Sequence, residues 1–244
     1  MSDRLPPVSE RYGDAYLAHN PGWHVEDSSW KADHVIELLD GWTPRTVCDV
    51  GCGAGEVLRH IHDRLPVDRL VGYEVAESAF ELSRQRATDR LQFKLEEAAA
   101  APEHFDLMLL LDVIEHVEDP IGFLRSLRFK SDRTILHIPL ELSVQSVLRP
   151  RRLLHSRSAV GHLHYFTQET AEATVQDSGY QVVRTRLTGV SVDLPARSRK
   201  AAAAALPRRI LPRHVAARTL GGFSLLVLAD NVPPDGASHP SASA

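Results

Sequence analysis

Cysteine is nearly absent from this chain. Cys48 and Cys52 are the only two in 244 residues. Two thiols four positions apart form neither a disulfide framework nor the paired spacing of a zinc site. The fold must therefore rest on a hydrophobic core, and no metal ligand set is expected. No apolar run reaches the ~20 residues that span a bilayer, and no basic-then-apolar leader opens the sequence, so the expected location is the cytoplasm. Internal repeats are lacking too. What remains is a chain of globular composition, 43% hydrophobic with a formal net charge of −4. Its length suits one domain with appendages.

The most informative stretch is Val47-Cys48-Asp49-Val50-Gly51-Cys52-Gly53-Ala54-Gly55-Glu56. An apolar strand runs into three alternate glycines, and an amphipathic helix bearing Val57, Leu58, Ile61 and Leu65 follows. Glycine tolerates positive φ and lets a ligand approach the backbone, and the helix N-terminus aims free N–H groups into the loop. The dinucleotide fingerprint G-x-G-x-x-G does not fit, because Glu56 occupies its sixth position. Acids at Asp49 and Glu56 suit a cation better than a pyrophosphate. A ligand-free strand-to-helix turn is the alternative. The next strand, Arg69 to Val75, carries Glu74 near its end, nineteen residues beyond Gly55. A carboxylate there can accept both ribose hydroxyls of a nucleoside, or be no more than a solvated acid.

A third stretch runs Phe105-Asp106-Leu107-Met108-Leu109-Leu110-Leu111-Asp112-Val113-Ile114-Glu115-His116-Val117-Glu118-Asp119-Pro120. Its apolar run has the length of a buried central strand of a parallel sheet. Asp119 and Pro120 read as N-cap and first residue of a helix carrying Ile121, Leu124 and Leu127. Glu115 and His116 are either a turn pair or part of a site.

D-x-G-x-G-x-G resembles motif I of the class I S-adenosylmethionine (SAM) methyltransferases. F-D-L-x-x-x-x-D-V-I-E-H-V-x-D-P resembles motif IV of those acting on quinones, lipids and small natural products. The resemblance implies an α/β, Rossmann-like, seven-stranded and mostly parallel sheet with helices on both faces and an antiparallel last strand. It implies SAM as cofactor, with Asp49, Gly51, Gly53, Gly55 and Glu74 around it and Asp112 beside the reactive methyl. An acid after strand three would face the adenine. Glu96 and Glu97 follow Leu91–Leu95 without the family's usual Gly-Asp pair, so Glu96 or Glu97 is the candidate, Glu96 taken first. Strands are expected at Thr134–Pro139, Tyr180–Leu187 and Phe223–Ala229, the last as an edge strand. The domain plan is a lid over 1–40, a SAM-binding domain over 41–230 and a disordered tail over 231–244.

Two insertions interrupt that plan, at 140–166 and 190–220. The first ends in Gly161-His162-Leu163-His164-Tyr165-Phe166-Thr167, with Thr167 as a helix cap. His162 or His164 can take a proton from an attacking hydroxyl, or either can shape the turn. Tyr165 is placed to orient substrate. In the N-terminal part, Trp23 and Trp30 belong to the lid or pack on the sheet. Charge is polarised: residues 149–218 hold 13 Lys and Arg against 4 Asp and Glu. That asymmetry suggests an anionic small-molecule acceptor, or peripheral contact of 197–218 with an acidic surface, against the plainer reading of a solvated insertion. No nucleic-acid motif with stacking aromatics accompanies it. The expected activity is methyl transfer from SAM to a small-molecule or lipid-like acceptor, O-methylation favoured. The alternatives are an idle SAM-fold binding or regulatory protein and, behind it, a nicotinamide oxidoreductase. A base near the methyl would mark the enzyme and an apolar plug the idle protein. Oligomeric state is not legible.

Overall fold

Seven strands form a single sheet in this computed structural model, which describes residues 25–195 and 198–231. They are β1 (Thr46–Val50), β2 (Arg69–Glu74), β3 (Leu91–Leu95), β4 (Phe105–Leu111), β5 (Ser131–Leu140), β6 (Tyr180–Thr188) and β7 (Phe223–Asn231). Their order is β3-β2-β1-β4-β5-β7-β6. The ladders from β3 to β5 are parallel, and β7 runs antiparallel to both β5 and β6.

Successive strand residues point to opposite faces, and both faces are covered. Leu107 and Leu109 meet Val35 and Leu38 of α1 (Ser28–Leu39) and Leu58 and Ile61 of α2 (Glu56–Arg64) on one side. Met108 and Leu110 belong to the other side, with Leu124 of α4 (Pro120–Leu127) and Val175 of α7 (Gln168–Asp177). This two-sided burial is why β4 reads as an uninterrupted apolar run. The expected cap at Asp119 is present, its Oδ1 accepting from the Gly122 N–H at 2.8 Å. Between α2 and α4 lies α3 (Glu77–Ser83).

The structure corrects three expectations about this frame. The last strand is not at the edge: β7 is buried along most of its length between β5 and β6. The edge falls to β6, whose Arg184 and Arg186 face solvent and pair with Asp40 and Glu37 at the C-terminal end of α1, a charged guard against further strand pairing. β5 begins three residues before Thr134, because Phe105 of β4 pairs with Ser131. Asn231 belongs to β7 rather than to a tail, and its buried amide donates to the backbone carbonyl and hydroxyl of Ser131. The rest of that tail, 232–244, and residues 1–24 of the expected lid, Trp23 among them, lie outside the described residues.

The insertions are helical. The first holds α5 (Val144–Val147) and α6 (Arg151–Ala159). The second holds α8 (Val190–Asp193), α9 (Arg199–Ile210) and α10 (Arg213–Leu220). Together with α1 they rise over the carboxyl ends of β1, β2, β4 and β5, where ligands sit in open parallel sheets.

Candidate active site

A cavity of about 850 Å³ opens at those strand ends, lined by Asp49, Gly51, Gly53, Glu74, Asp112 and His162 together with residues of α1, α6 and α9. The glycine loop forms its floor. Gly51, Gly53 and Gly55 all have left-handed φ, at 72°, 54° and 79°. The N–H groups of Gly51 and Cys52 both donate to the Tyr73 carbonyl, at 2.8 and 3.1 Å, which ties the loop to β2. Glu74 completes the tie: its carboxylate accepts from Gly53 N–H (2.8 Å), Val75 N–H (2.8 Å) and Ala76 N–H (2.9 Å). Burial raises the Glu74 pKa against the pull of those three donors.

Asp49 lies beneath this loop, 2% exposed, and its Oδ1 has no hydrogen-bond partner. Burial raises its pKa to about 8, with Lys31 pulling down and Glu74 pushing up. A buried acid with an orphaned oxygen beside a ligand-sized cavity is a site waiting for a cation or a donor. The sulfonium and amino-acid portion of SAM meets that requirement, and the N–H-rich loop meets its carboxylate. SAM is therefore the cofactor these residues fit.

Gly55 and Glu56 take different parts from those expected. Gly55 does not line the cavity. A Cβ there would meet Phe93 Cε1 at 2.5 Å, so this glycine serves helix–sheet packing. Glu56 lines the cavity but is already neutralised, by Arg59 at 2.7 Å and Arg86 at 2.7 Å. Glu96 is not brought into the cavity: it sits in solvent beside Lys94, 3.4 Å away.

At the end of β4, Asp112 adopts φ +57°. A non-glycine residue in that region costs roughly 1–2 kcal/mol, and two partners hold it there. Lys31 Nζ on α1 lies 2.6 Å from Oδ2, and His137 Nδ1 on β5 lies 2.6 Å from Oδ1. Thr188 Oγ1 fixes the other nitrogen of His137 at 3.1 Å. Burial would raise the Asp112 pKa, but the charges of His137 and Lys31 win and hold it well below the usual carboxylate range. Lys31 also ties α1, which lies within the expected lid and places Trp30 on the cavity lining, to the end of β4.

The roof contains the second acid–base group. His162 Nδ1 lies 2.7 Å from Glu141 Oε2 and 3.2 Å from Ser156 Oγ, which leaves Nε2 as the nitrogen able to take a proton. Its ring meets His116 edge-on at a centroid distance of 4.7 Å. His164 turns the other way: its Nε2 contacts the Glu118 carbonyl at 3.2 Å, and it does not line the cavity. The neighbouring peptide explains the split, since Leu163 N–H and His164 N–H both donate to the Glu115 carbonyl, at 2.7 and 3.1 Å. Tyr165 is likewise occupied, its hydroxyl donating to the Leu153 carbonyl at 2.9 Å.

Four contributors were not singled out by the sequence: Lys31, His137, Glu141 and Thr188. His137 alone left a trace, as a polar residue inside an apolar strand. A ligand cluster also emerges from positions far apart in the chain. Glu115, His116 and His162 place ligating atoms all within 4.8 Å of one another. Glu115 is 1% exposed, and neither of its oxygens has a hydrogen-bond partner. Burial, then the charge of Asp112, pushes its pKa far up, and burial pushes His116 down to about 4. The Glu115 carboxyl group and the two imidazoles form a donor set for a divalent transition metal, which cysteine and histidine spacing did not announce.

The methyltransferase-domain family matches residues 26–185. The chain belongs to that family. Its sequence relatives include a ubiquinone biosynthesis O-methyltransferase of Proteus mirabilis, 25% identical over 131 residues, 51% of this chain and 52% of that one. A tRNA U34 carboxymethyltransferase of Trichodesmium erythraeum is 27% identical over 108 residues, 41% and 33% of the two chains. The chain thus spans about half, or less, of the length of these curated relatives. Among solved structures, magnesium protoporphyrin IX methyltransferase of Synechocystis PCC 6803 with bound SAH superposes with a TM-score of 0.63 at 16% identity, covering 92% of this chain and 98% of that one. That likeness shares the fold, and the methyltransferase family is the frame in which the cavity is read. The missing third fingerprint glycine and the acid at Glu56 have their explanation in it: the fold is a methyltransferase domain rather than a dinucleotide-binding one.

Proposed function

We propose that this chain transfers the methyl group of SAM to a hydroxyl oxygen of a small, lipid-like acceptor. The observation that carries the proposal is the His162–Glu141 pair on the roof of the cavity. Displacement of methyl from a sulfonium converts a cation into neutral products, so the protein's main tasks are alignment and exclusion of water. An alcohol or phenol must in addition lose its proton. Glu141 fixes His162 with its proton on Nδ1, and Nε2 then accepts the proton of the attacking hydroxyl while the O–CH₃ bond forms and the S–CH₃ bond breaks. A polar base in the roof, rather than an apolar plug, argues against an idle binding protein. The name of the Proteus relative supports an oxygen acceptor of quinone type, whereas the tRNA-modifying relative shows that this family framework accommodates other acceptors.

A second reading of the same wall rests on Glu115. With neither oxygen partnered, it could join His116 and His162 around a divalent cation, which when bound would lower the pKa of a coordinated hydroxyl. Transfer from methyl-labelled SAM to a soluble catechol tests both readings. Under the first, His162→Ala lowers turnover by roughly 10²–10⁴-fold with unchanged SAM affinity, His164→Ala leaves turnover near the parent value, and chelation has no effect. Loss of turnover on chelation, restored by added metal, selects the second. Equal activity of His162→Ala and the parent sinks the base assignment.

A further inference from the structure

We propose that the insertion carrying α5 and α6, with the outer side of α9, is a docking surface for an anionic lipid bilayer at the mouth of the cavity. The sequence drew attention to the arginines of 197–218, but four of them, Arg208, Arg209, Arg213 and Arg218, are engaged by acids and carbonyls of the chain itself. Arg213 pairs with Asp193 at 2.6 Å and Arg218 pairs with Glu169. Arg209 donates to the Leu194 carbonyl at 2.8 Å, and Arg208 donates to the carbonyls of Gly221 and Leu220 at 2.8 and 2.9 Å.

The arginines of the first insertion are used otherwise. Arg149, Arg151, Arg152 and Arg157 are exposed, and none takes part in an ion pair among the described residues, although Arg152 donates to Gln145 Oε1 at 2.8 Å. No Asp or Glu occurs anywhere from Leu142 to Gln168, so nothing in the segment neutralises them. Exposed aliphatic side chains are interleaved with these charges. Val147 is 62% exposed, Leu148 76% and Leu154 63%. Across the mouth, Leu206 and Ile210 on α9 are 54% and 72% exposed.

Such a surface leaves apolar area in water at a cost and concentrates positive charge at the same spot. Phosphate headgroups beside an acyl boundary satisfy both halves: arginines meet the phosphates and leucines enter the hydrocarbon edge. A nucleic acid would satisfy the charge alone, since the exposed apolar side chains here are aliphatic and offer no ring for a base to stack on. Position adds the functional consequence. Ser156 and Val160 of α6 and Ala201 of α9 line the cavity, so the surface is the outer side of the cavity's own walls. On the acceptor reading given above, a bilayer-dissolved acceptor would enter between α6 and α9 without crossing water.

The test is cosedimentation of the full chain with vesicles of phosphatidylcholine alone and of phosphatidylcholine mixed with phosphatidylglycerol. The protein should pellet with the mixed vesicles, far less with the neutral ones, and be partly released by salt. Arg149→Gln/Arg151→Gln/Arg157→Gln should lose roughly 10²-fold in partition, since each basic residue at an anionic surface contributes about fivefold. Leu148→Ser/Leu154→Ser should lose roughly tenfold or more. Calorimetric SAM affinity and transfer to a soluble acceptor should match the parent in both variants, which shows that they fold and separates failure of this proposal from failure of the methyltransferase reading. Absence of pelleting, equal pelleting with neutral and mixed vesicles, or variants that pellet like the parent would overturn it. So would arginine-dependent retention of RNA with none of vesicles.

Discussion

Raising the pH from about 6 to about 9 should tighten SAM binding by roughly two powers of ten, and Asp49 is the reason. This carboxyl is 2% exposed, and burial places its pKa at about 8 despite the nearby Lys31. It can pair with the cationic part of SAM only when ionised. About one molecule in ten carries the charge near pH 7, and about one in a hundred near pH 6. Each pH step below the pKa therefore costs about 1.4 kcal/mol, a factor of ten in Kd. Binding near neutrality should release close to one proton, visible as a dependence of the calorimetric enthalpy on the ionisation heat of the buffer. Asp49→Asn removes the titration, so its affinity should be weaker at about pH 9 and nearly flat with pH. The stability consequence has the opposite sign. A folded pKa raised above the unfolded value gives stability that is present below about pH 4 and is lost as pH rises toward 8. Asp49→Asn should therefore raise the Tm of the ligand-free protein at neutral pH while it weakens SAM binding. A Kd for the parent that does not change between about pH 6 and 9, or an Asn variant with the same slope, would refute the reasoning.

Two further perturbations probe the frame of the site. Asp112, held below the usual carboxylate range by His137 and Lys31, contributes stability that is present above about pH 4 and is lost as the pH falls below it; Asp112→Asn should lower the Tm at neutral pH and flatten its decline in acid, and an acid profile identical to the parent would contradict the pairing. Gly55→Ala should cost roughly 1–3 kcal/mol in urea unfolding, because it adds a Cβ at φ +79° that meets Phe93 at 2.5 Å; Phe93→Leu in the same chain should restore part of the loss, and no restoration would mean that backbone strain alone sets the cost.

The glycine loop, the acid at the end of β2 and the long apolar run of β4 were legible because each is a local pattern with one physical reading. Alternate glycines report positive φ, an uninterrupted apolar strand reports cover on both faces, and Asp119-Pro120 reports a helix start. The position of β7 was not legible, since an apolar strand at the end of the chain does not say whether it lies at an edge or slips between two neighbours. His162 and His164 look alike in sequence, and two backbone hydrogen bonds to the Glu115 carbonyl send one into the cavity and the other away. Lys31 and Glu141 gave no local signal, and His137 only the trace of a polar residue inside an apolar strand, because their roles exist only once α1, β5 and the first insertion converge on the carboxyl ends of β4 and β5. The basic segment shows the same division. Sequence counted its charge, and only tertiary structure decided which arginines are consumed by acids and carbonyls and which remain at the surface, because neutralisation depends on partners distant in the chain.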